Sequence, residues 1–266
     1  MCLLTTGVAP VRSVDLAEIG REGVVRINFL TDDPWNPAHY AGWFLASLRE
    51  YDYVFSPRRA NLNDLERHGC KQVHYLPFAY SPDLHFPEKS GPAVDAPDVM
   101  FAGGADIDRL PYVRTLTEAK FAVALYGGYW NKYANFKPYW YGDADMATLR
   151  RATGAAKIVL CLVRRSNRDG HSMRTFEVPA MHGCMLVEDT PDHRSLFGPD
   201  GDTVVYFKSM REMIDRAGWL LRNDDERKRL ATAAHARITR GHHTYVDRLA
   251  RIIEVVNAAV PSLTLQ

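Results

Sequence analysis

The chain has 266 residues, 46% of them hydrophobic and 24% charged, with 33 Lys and Arg against 32 Asp and Glu. This composition excludes disordered and fibrous architectures, and the length fits one or two domains. A formal net charge of +1 argues against a nucleic-acid binder that works by bulk charge.

At the start of the chain, residues 1–11 lack both a basic head and a sustained apolar run, so they do not read as a signal peptide. No apolar run approaches the ~18 residues of a membrane-spanning helix. Residues 23–30 read as a strand, and 38–50 as a helix with Ala41, Leu45 and Leu48 on one face. A strand at 53–55, a helix at 58–68 ended by Gly69 and a strand at 72–76 follow. Pro82, Pro87, Pro92 and Pro97 then punctuate 81–97, a density that suits neither helix nor strand. This stretch reads as a linker, which divides the chain into a smaller unit at 1–92 and a larger one at 93–266. Strands are expected at 99–102, 121–126, 157–163, 184–187 and 203–207. Between and after them, Met210, Met213, Ile214, Ala217 and Leu221 keep helical period, as do Val246, Leu249, Ala250 and Ile253. Such alternation implies an α/β fold: two units of parallel strands covered by helices, with a cleft at the carboxyl ends of the strands. Cys2, Cys70, Cys161 and Cys184 have no Cys-x-x-Cys spacing and read as reduced thiols of a cytoplasmic protein.

The P-loop, dinucleotide, zinc-protease and nucleophile-elbow signatures are absent. Asp143-Ala144-Asp145 matches an Asp-x-Asp metal motif of sugar transferases, but it precedes a helical pattern at 146–153 and reads first as an N-cap. His242-His243 are adjacent, which is poor geometry for chelation, so no metal site is expected. The Arg-rich stretch 216–251, interleaved with carboxylates, reads as a solvated helix face.

The chemistry is concentrated in 168–190, which follows the strand expected at 157–163. Gly170 and Ser172 suit a tight loop and cap, and a helix is expected to begin near Met173. A helix N-terminus offers free N–H groups and a positive dipole end to an anion, and Arg174 in its first turn adds a charge suited to phosphate.

Asp169 and Glu177, seven residues between them, precede a small-residue helix and a strand. In this the segment resembles the donor-binding signature of GT-B glycosyltransferases. Arg174-x-Phe176-Glu177, followed by Pro179-Ala180-Met181, is most similar to the CgeB-like (spore-maturation-protein-like) members. Phe101-Ala102-Gly103-Gly104 with Arg109 resembles the glycine turn that opens the donor half. Tyr141-Gly142-Asp143, then a helix and residues 157–164 ending in Arg164, resembles the segment passing the nucleobase, and His243-Thr244-Tyr245 with Arg248 the closing motif. In the first half, 75–79 through His85 and Pro87 resembles the end of the acceptor half and the crossover. Departures are Asp169 in place of the usual Glu, Pro179 inside the helix, which predicts a short or kinked element, and only about three strands in the first unit.

The resemblance implies two Rossmann-like units facing a cleft, the first of them short. It also implies a retaining, metal-independent hexosyltransferase that takes a nucleoside-diphosphate sugar and needs no cofactor. Glu177 would hold ribose hydroxyls, and Asp169, with backbone from His171 and Ser172, would face the sugar. Gly103, Gly104, Arg109, Gly142 and Arg174 would complete the donor site. On the acceptor side, Asp32, Asp33 and His39 follow the strand ending at residue 30, although Asp32-Asp33-Pro34 is also a natural turn. The acceptor has no signature in the sequence. Two rival readings are a nucleotide-sugar epimerase and a non-catalytic nucleotide-sugar-binding module.

Overall fold

A computed structural model describes residues 1–88 and 96–259. The chain divides into two compact units: Met1–Phe78 with Arg165–Asp169 and Arg248–Gln266, and Ala79–Arg164 with Gly170–Asp247. The boundary expected between 92 and 93 lies outside the described residues.

In the first unit, β1 (Cys2–Thr6), β2 (Val25–Phe29), β3 (Tyr53–Ser56) and β4 (Val73–Tyr75) form a parallel sheet in sequential order. Leu4 faces Ile27, Ile27 faces Tyr53 and Val54 faces Val73. Parallel neighbours need crossovers, supplied by α1 (Ser13–Arg21), α2 (Gly42–Leu48) and α3 (Arg59–Arg67). Leu16, Phe44, Leu48, Val54 and Leu65 form the core. Four strands, not about three, stand here. β1 escaped the sequence reading because CLLTT alternates between exposed and half-buried positions at a sheet edge. α1 escaped it because Leu16 is its one buried residue.

In the second unit, β5 (Val99–Ala102), β6 (Val123–Tyr126), β7 (Ile158–Cys161), β8 (Met185–Glu188) and β9 (Val205–Phe207) are parallel in the order β6-β5-β7-β8-β9. Val99 pairs with Val123 on one side and Ile158 on the other, so strand order reverses between β5 and β7. Helices α4 (Leu110–Glu118), α5 (Met146–Ala155), α6 (Arg174–Ala180), α7 (Pro191–Phe197), α8 (Met210–Arg222) and α9 (Asp224–Thr239) connect or flank the strands.

α6 has only seven residues and contains Pro179, as its sequence predicts. Asp145 caps α5, accepting from the Thr148 N–H at 2.7 Å, so the Asp-x-Asp motif has a structural duty. The expected solvated face at 216–251 hides a buried side: Leu230, Ala231, Ala234 and Ile238 on α9 reach the core at helical spacing. The last helix, α10 (Tyr245–Ala259), expected in the second domain, groups with the first unit from Arg248 onward. There Arg248 Nε donates to Pro77 O at 2.9 Å. All four cysteines are free, and burial raises the thiols of Cys70, Cys161 and Cys184 to about 11, 12 and 12. No helix among the described residues is long and apolar enough to cross a membrane.

Candidate functional site

In an open α/β sheet, the loops leaving two strands where the order reverses run to opposite faces and leave a crevice at the carboxyl ends. In the second unit that place is occupied by a cavity of about 250 Å³ at the ends of β5 and β7. Gly103, Gly104, Arg109, Arg164, Ser172 and Arg174 contribute to its wall.

Two glycines form the floor for a steric reason. Gly103 donates its N–H to Tyr126 O at 2.8 Å, and its carbonyl accepts from Trp130 Nε1 at 2.8 Å. Gly127, at φ +113°, packs so closely that a Cβ there would lie 2.7 Å from the Gly103 carbonyl carbon. Gly142, at φ +92°, accepts from the Gly127 N–H at 2.9 Å and so braces this turn from behind.

The cavity's charge comes from three guanidinium groups. Arg109 is 7% exposed and donates to Gly104 O at 3.0 Å. The Asp106 carboxylate lies 3.3 Å from Arg109 and 3.4 Å from Arg164. Arg174 Nε donates to Ala102 O at 3.1 Å. Burial first, then the nearby Arg109, lowers the pKa of Arg174, as expected where cations converge away from water. The start of α6 supplies less than its sequence suggests. The N–H groups of Ser172, Thr175, Phe176 and Glu177 are engaged within the turn, so side chains rather than bare amides carry the positive charge.

A hydrogen-bonded chain fixes that turn. Ser172 N–H donates to Thr175 Oγ1 at 3.0 Å, which lies 3.0 Å from His193 Nε2, and His193 Nδ1 lies 2.7 Å from Glu188 O. Since the Glu188 carbonyl can only accept, neutral His193 donates from Nδ1, and Nε2 accepts from the Thr175 hydroxyl. His171 is 3% exposed, with Nδ1 3.3 Å from Asp192 Oδ2, while Gly170 leaves Asp192 room that any side chain would fill.

Glu177 is not among the residues of the cavity wall. It is 6% exposed, its Oε2 accepts from Arg174, and its Oε1 lies 3.5 Å from His85 Nε2. Asp169 belongs to the first unit, where it forms an ion pair with Arg58 at 2.5 Å, the two side chains 7% and 3% exposed. Asp33, 1% exposed, accepts from Arg168 Nε at 2.6 Å and NH2 at 3.1 Å, and from Asn61 Nδ2 at 3.0 Å. Asp32 and His39 are half-buried and 3.7 Å apart. The structure therefore brings together Gly103, Gly104, Arg109, Ser172 and Arg174, and groups Asp169 with Asp32, Asp33 and His39 in the other unit. Arg164 and His85 lie in segments that the resemblance marks, 157–164 and the crossover, but neither was expected in the donor site; His193 was missed and carries no local signal. No group of three or more His, Cys, Asp or Glu side chains among the described residues is placed to hold a metal ion.

Two Rossmann-like units of parallel strands and helices make this a GT-B-like α/β fold. Residues 109–254 match the family model described as glycosyl transferase-like, and the chain belongs to that family. No curated protein matches the sequence. Among solved structures, sucrose-phosphate synthase from Thermosynechococcus elongatus is similar over 97% of this chain and 73% of its own, at 13% identity and TM-score 0.69. Alr3699/HepE of Anabaena, solved with UDP and glucose, is similar over 96% and 78% at 11% identity and TM-score 0.67. T4 phage BGT, solved with its UDP-glucose substrate, is similar over 98% and 82% at 14% identity and TM-score 0.62. The chain spans 54% of TarM, another protein of similar fold. At these identities the likeness is one of fold.

Proposed function

We propose that the protein transfers a hexosyl group from a nucleoside-diphosphate sugar to an acceptor, with the diphosphate held in the β5/β7 cavity. The observation that carries this reading is the convergence of Arg109, Arg164 and Arg174 on a glycine floor, with no carboxylate among the wall residues. A leaving diphosphate gains negative charge as the glycosidic bond breaks, and preorganised cations stabilise that charge most where water is scarce. Gly103 and Gly104 let the backbone approach the phosphates. The reading is metal-independent, since guanidinium groups take the part a cation would play. Glu177 serves the site through Arg174, which it anchors. UDP is the first nucleotide to test, because HepE and T4 phage BGT were solved with UDP or a UDP-sugar.

The Arg174–Glu177 motif and the Pro179-Ala180-Met181 that follows support a CgeB-like member of the family, for which retention of configuration is the implied outcome. Asp32 and His39 are the acceptor-side pair in this reading, because Asp33 and Asp169 are engaged in ion pairs. Free cysteines fit a cytoplasmic location.

Thermal unfolding against a panel of nucleoside diphosphates and their sugars tests the proposal. A ligand at a hundred times its dissociation constant should add about 2.7 kcal/mol of stability. Stabilisation by a diphosphate, but not by the matching nucleoside, is expected. No response to any member of the panel would overturn it.

A further inference from the structure

Behind the cavity wall, a buried group that the mechanism leaves unused faces Glu177. His85 is 6% exposed and closes the turn at 81–85, where its N–H donates to Ser81 O at 2.8 Å and the Ser81 N–H donates to its Nδ1 at 3.0 Å. Nδ1 also lies 3.1 Å from Ser81 O, so the turn accommodates a proton on either nitrogen, and it is the Glu177 carboxylate beside Nε2 that favours the proton there. That Nε2 has no hydrogen-bond partner among the described residues, and it lies 3.5 Å from Glu177 Oε1. Arg174 and Arg150 are the cations that act on the ring. Burial first, then these two charges, lowers the pKa of His85, against a backbone hydrogen bond with Ser81 that raises it.

From this geometry we propose that His85 is a positioning residue for Arg174: its Nε2–H steadies Glu177, and Glu177 holds the guanidinium that lines the cavity. The inference rests on the reading of that cavity as a diphosphate site. Arg174 is held at Nε by the Ala102 carbonyl and at NH1 by Glu177. A long side chain fixed at both points has less freedom left to lose when an anion arrives. Without His85, one oxygen of a buried carboxylate loses the imidazole edge that faces it at 3.5 Å, and Glu177 is free to turn away from the pose that aims Arg174.

The test uses inorganic pyrophosphate and UDP as calorimetric probes of the full chain. His85→Leu removes the donor, whereas His85→Gln keeps an N–H in similar reach. The leucine variant should bind both probes roughly tenfold more weakly, the low end of what a less well satisfied buried charge costs, and the glutamine variant should recover most of that loss. In a double variant with Arg174→Gln, His85→Leu should add no further loss, because both act through one guanidinium. Additive losses, or parental affinity in a folded His85→Leu, would overturn the proposal. So would ¹⁵N shifts showing His85 protonated at Nδ1 in the parent, a measurement that needs no ligand and also reads out if His85→Leu fails to fold. If the parent binds neither probe while His85 shows the Nε2–H form and exchange of the Arg174 Nε–H quickens in His85→Leu, the diphosphate reading fails and the positioning chain stands.

Discussion

Alanine at Gly104 and alanine at Gly127 should separate the ligand from the fold. A Cβ on Gly104 would meet Gly128 O at 3.5 Å and the Tyr129 ring at 3.6 Å, both ordinary van der Waals contacts. The Gly104→Ala variant should therefore unfold within ~0.5 kcal/mol of the parent. Gly104 nevertheless lines the cavity, and its added methyl would stand where the proposed diphosphate would approach the backbone. Overpacking of that kind costs ~1–3 kcal/mol, a roughly 5–150-fold loss of affinity. Gly127 differs in both respects. Its φ of +113° strains any other residue, and its Cβ would fall 2.7 Å and 2.8 Å from the Gly103 carbonyl carbon and oxygen, backbone atoms that cannot swing aside. Gly127→Ala should lose ~1–3 kcal/mol from the dihedral alone, with displacement of the glycine floor adding to it. Urea unfolding and calorimetric titration with UDP measure the two effects. Parental UDP affinity in Gly104→Ala would remove the glycine floor from the donor site. Parental stability in Gly127→Ala would refute the packing that holds the floor.

Three further outcomes follow from the same geometry. Nucleotide binding should survive excess EDTA, whereas a Mg²⁺ or Mn²⁺ requirement abolished by Asp143→Ala would move the phosphate site to Asp143-Ala144-Asp145. Asp169→Asn strands the Arg58 cation in the interior and should cost about 3–5 kcal/mol in urea unfolding, most of it recovered by Arg58→Met with Asp169→Leu; parental stability with collapsed turnover would return Asp169 to the reacting sugar. Burial holds His193 at about 4, below its ordinary 6.5, so the unfolded chain takes up a proton that the native state refuses. Stability should then fall as pH drops from 6.5 to 4, by about 3 kcal/mol for this group, and an equally steep fall in His193→Gln would count against it.

What could be read in advance follows burial. β5 is central and buried on both faces, so VMFA stands out as an apolar run bounded by Asp98 and Gly103, and the reading of 99–102 matches its ends. Edge strand β1 and helix α1 bury too little for a pattern to show. Within the site, the resemblance marked the glycine turn and the residue type and place of Arg174 suggested phosphate, and both line the same cavity at the ends of β5 and β7. The partners that decide the roles of Asp169, Asp33 and Glu177 were not, since Arg58, Arg168 and His85 stand far from them in sequence or reach them only through the fold. The resemblance places Asp169 and Glu177 in one donor site, whereas the contact units of the structure divide them and each meets a different cation.

Strand order explains why the two units treat their charges differently. In the first sheet the order never reverses, so the loops after β2 and β3 have no switch-point crevice between them. Their polar groups close on one another and on residues 165–169: Asp33 and Asp64 with Arg168, Arg58 with Asp169, Asn36 with Asn167. Each buried charge there meets its opposite, as burial requires. In the second sheet the reversal between β5 and β7 holds open the space into which Arg109, Arg164 and Arg174 converge, with Asp106 shared between two of them and Glu177 drawn to the third. A ligand that adds negative charge there would meet three guanidinium groups around two carboxylates. In the first unit the same anion would have to break pairs already made.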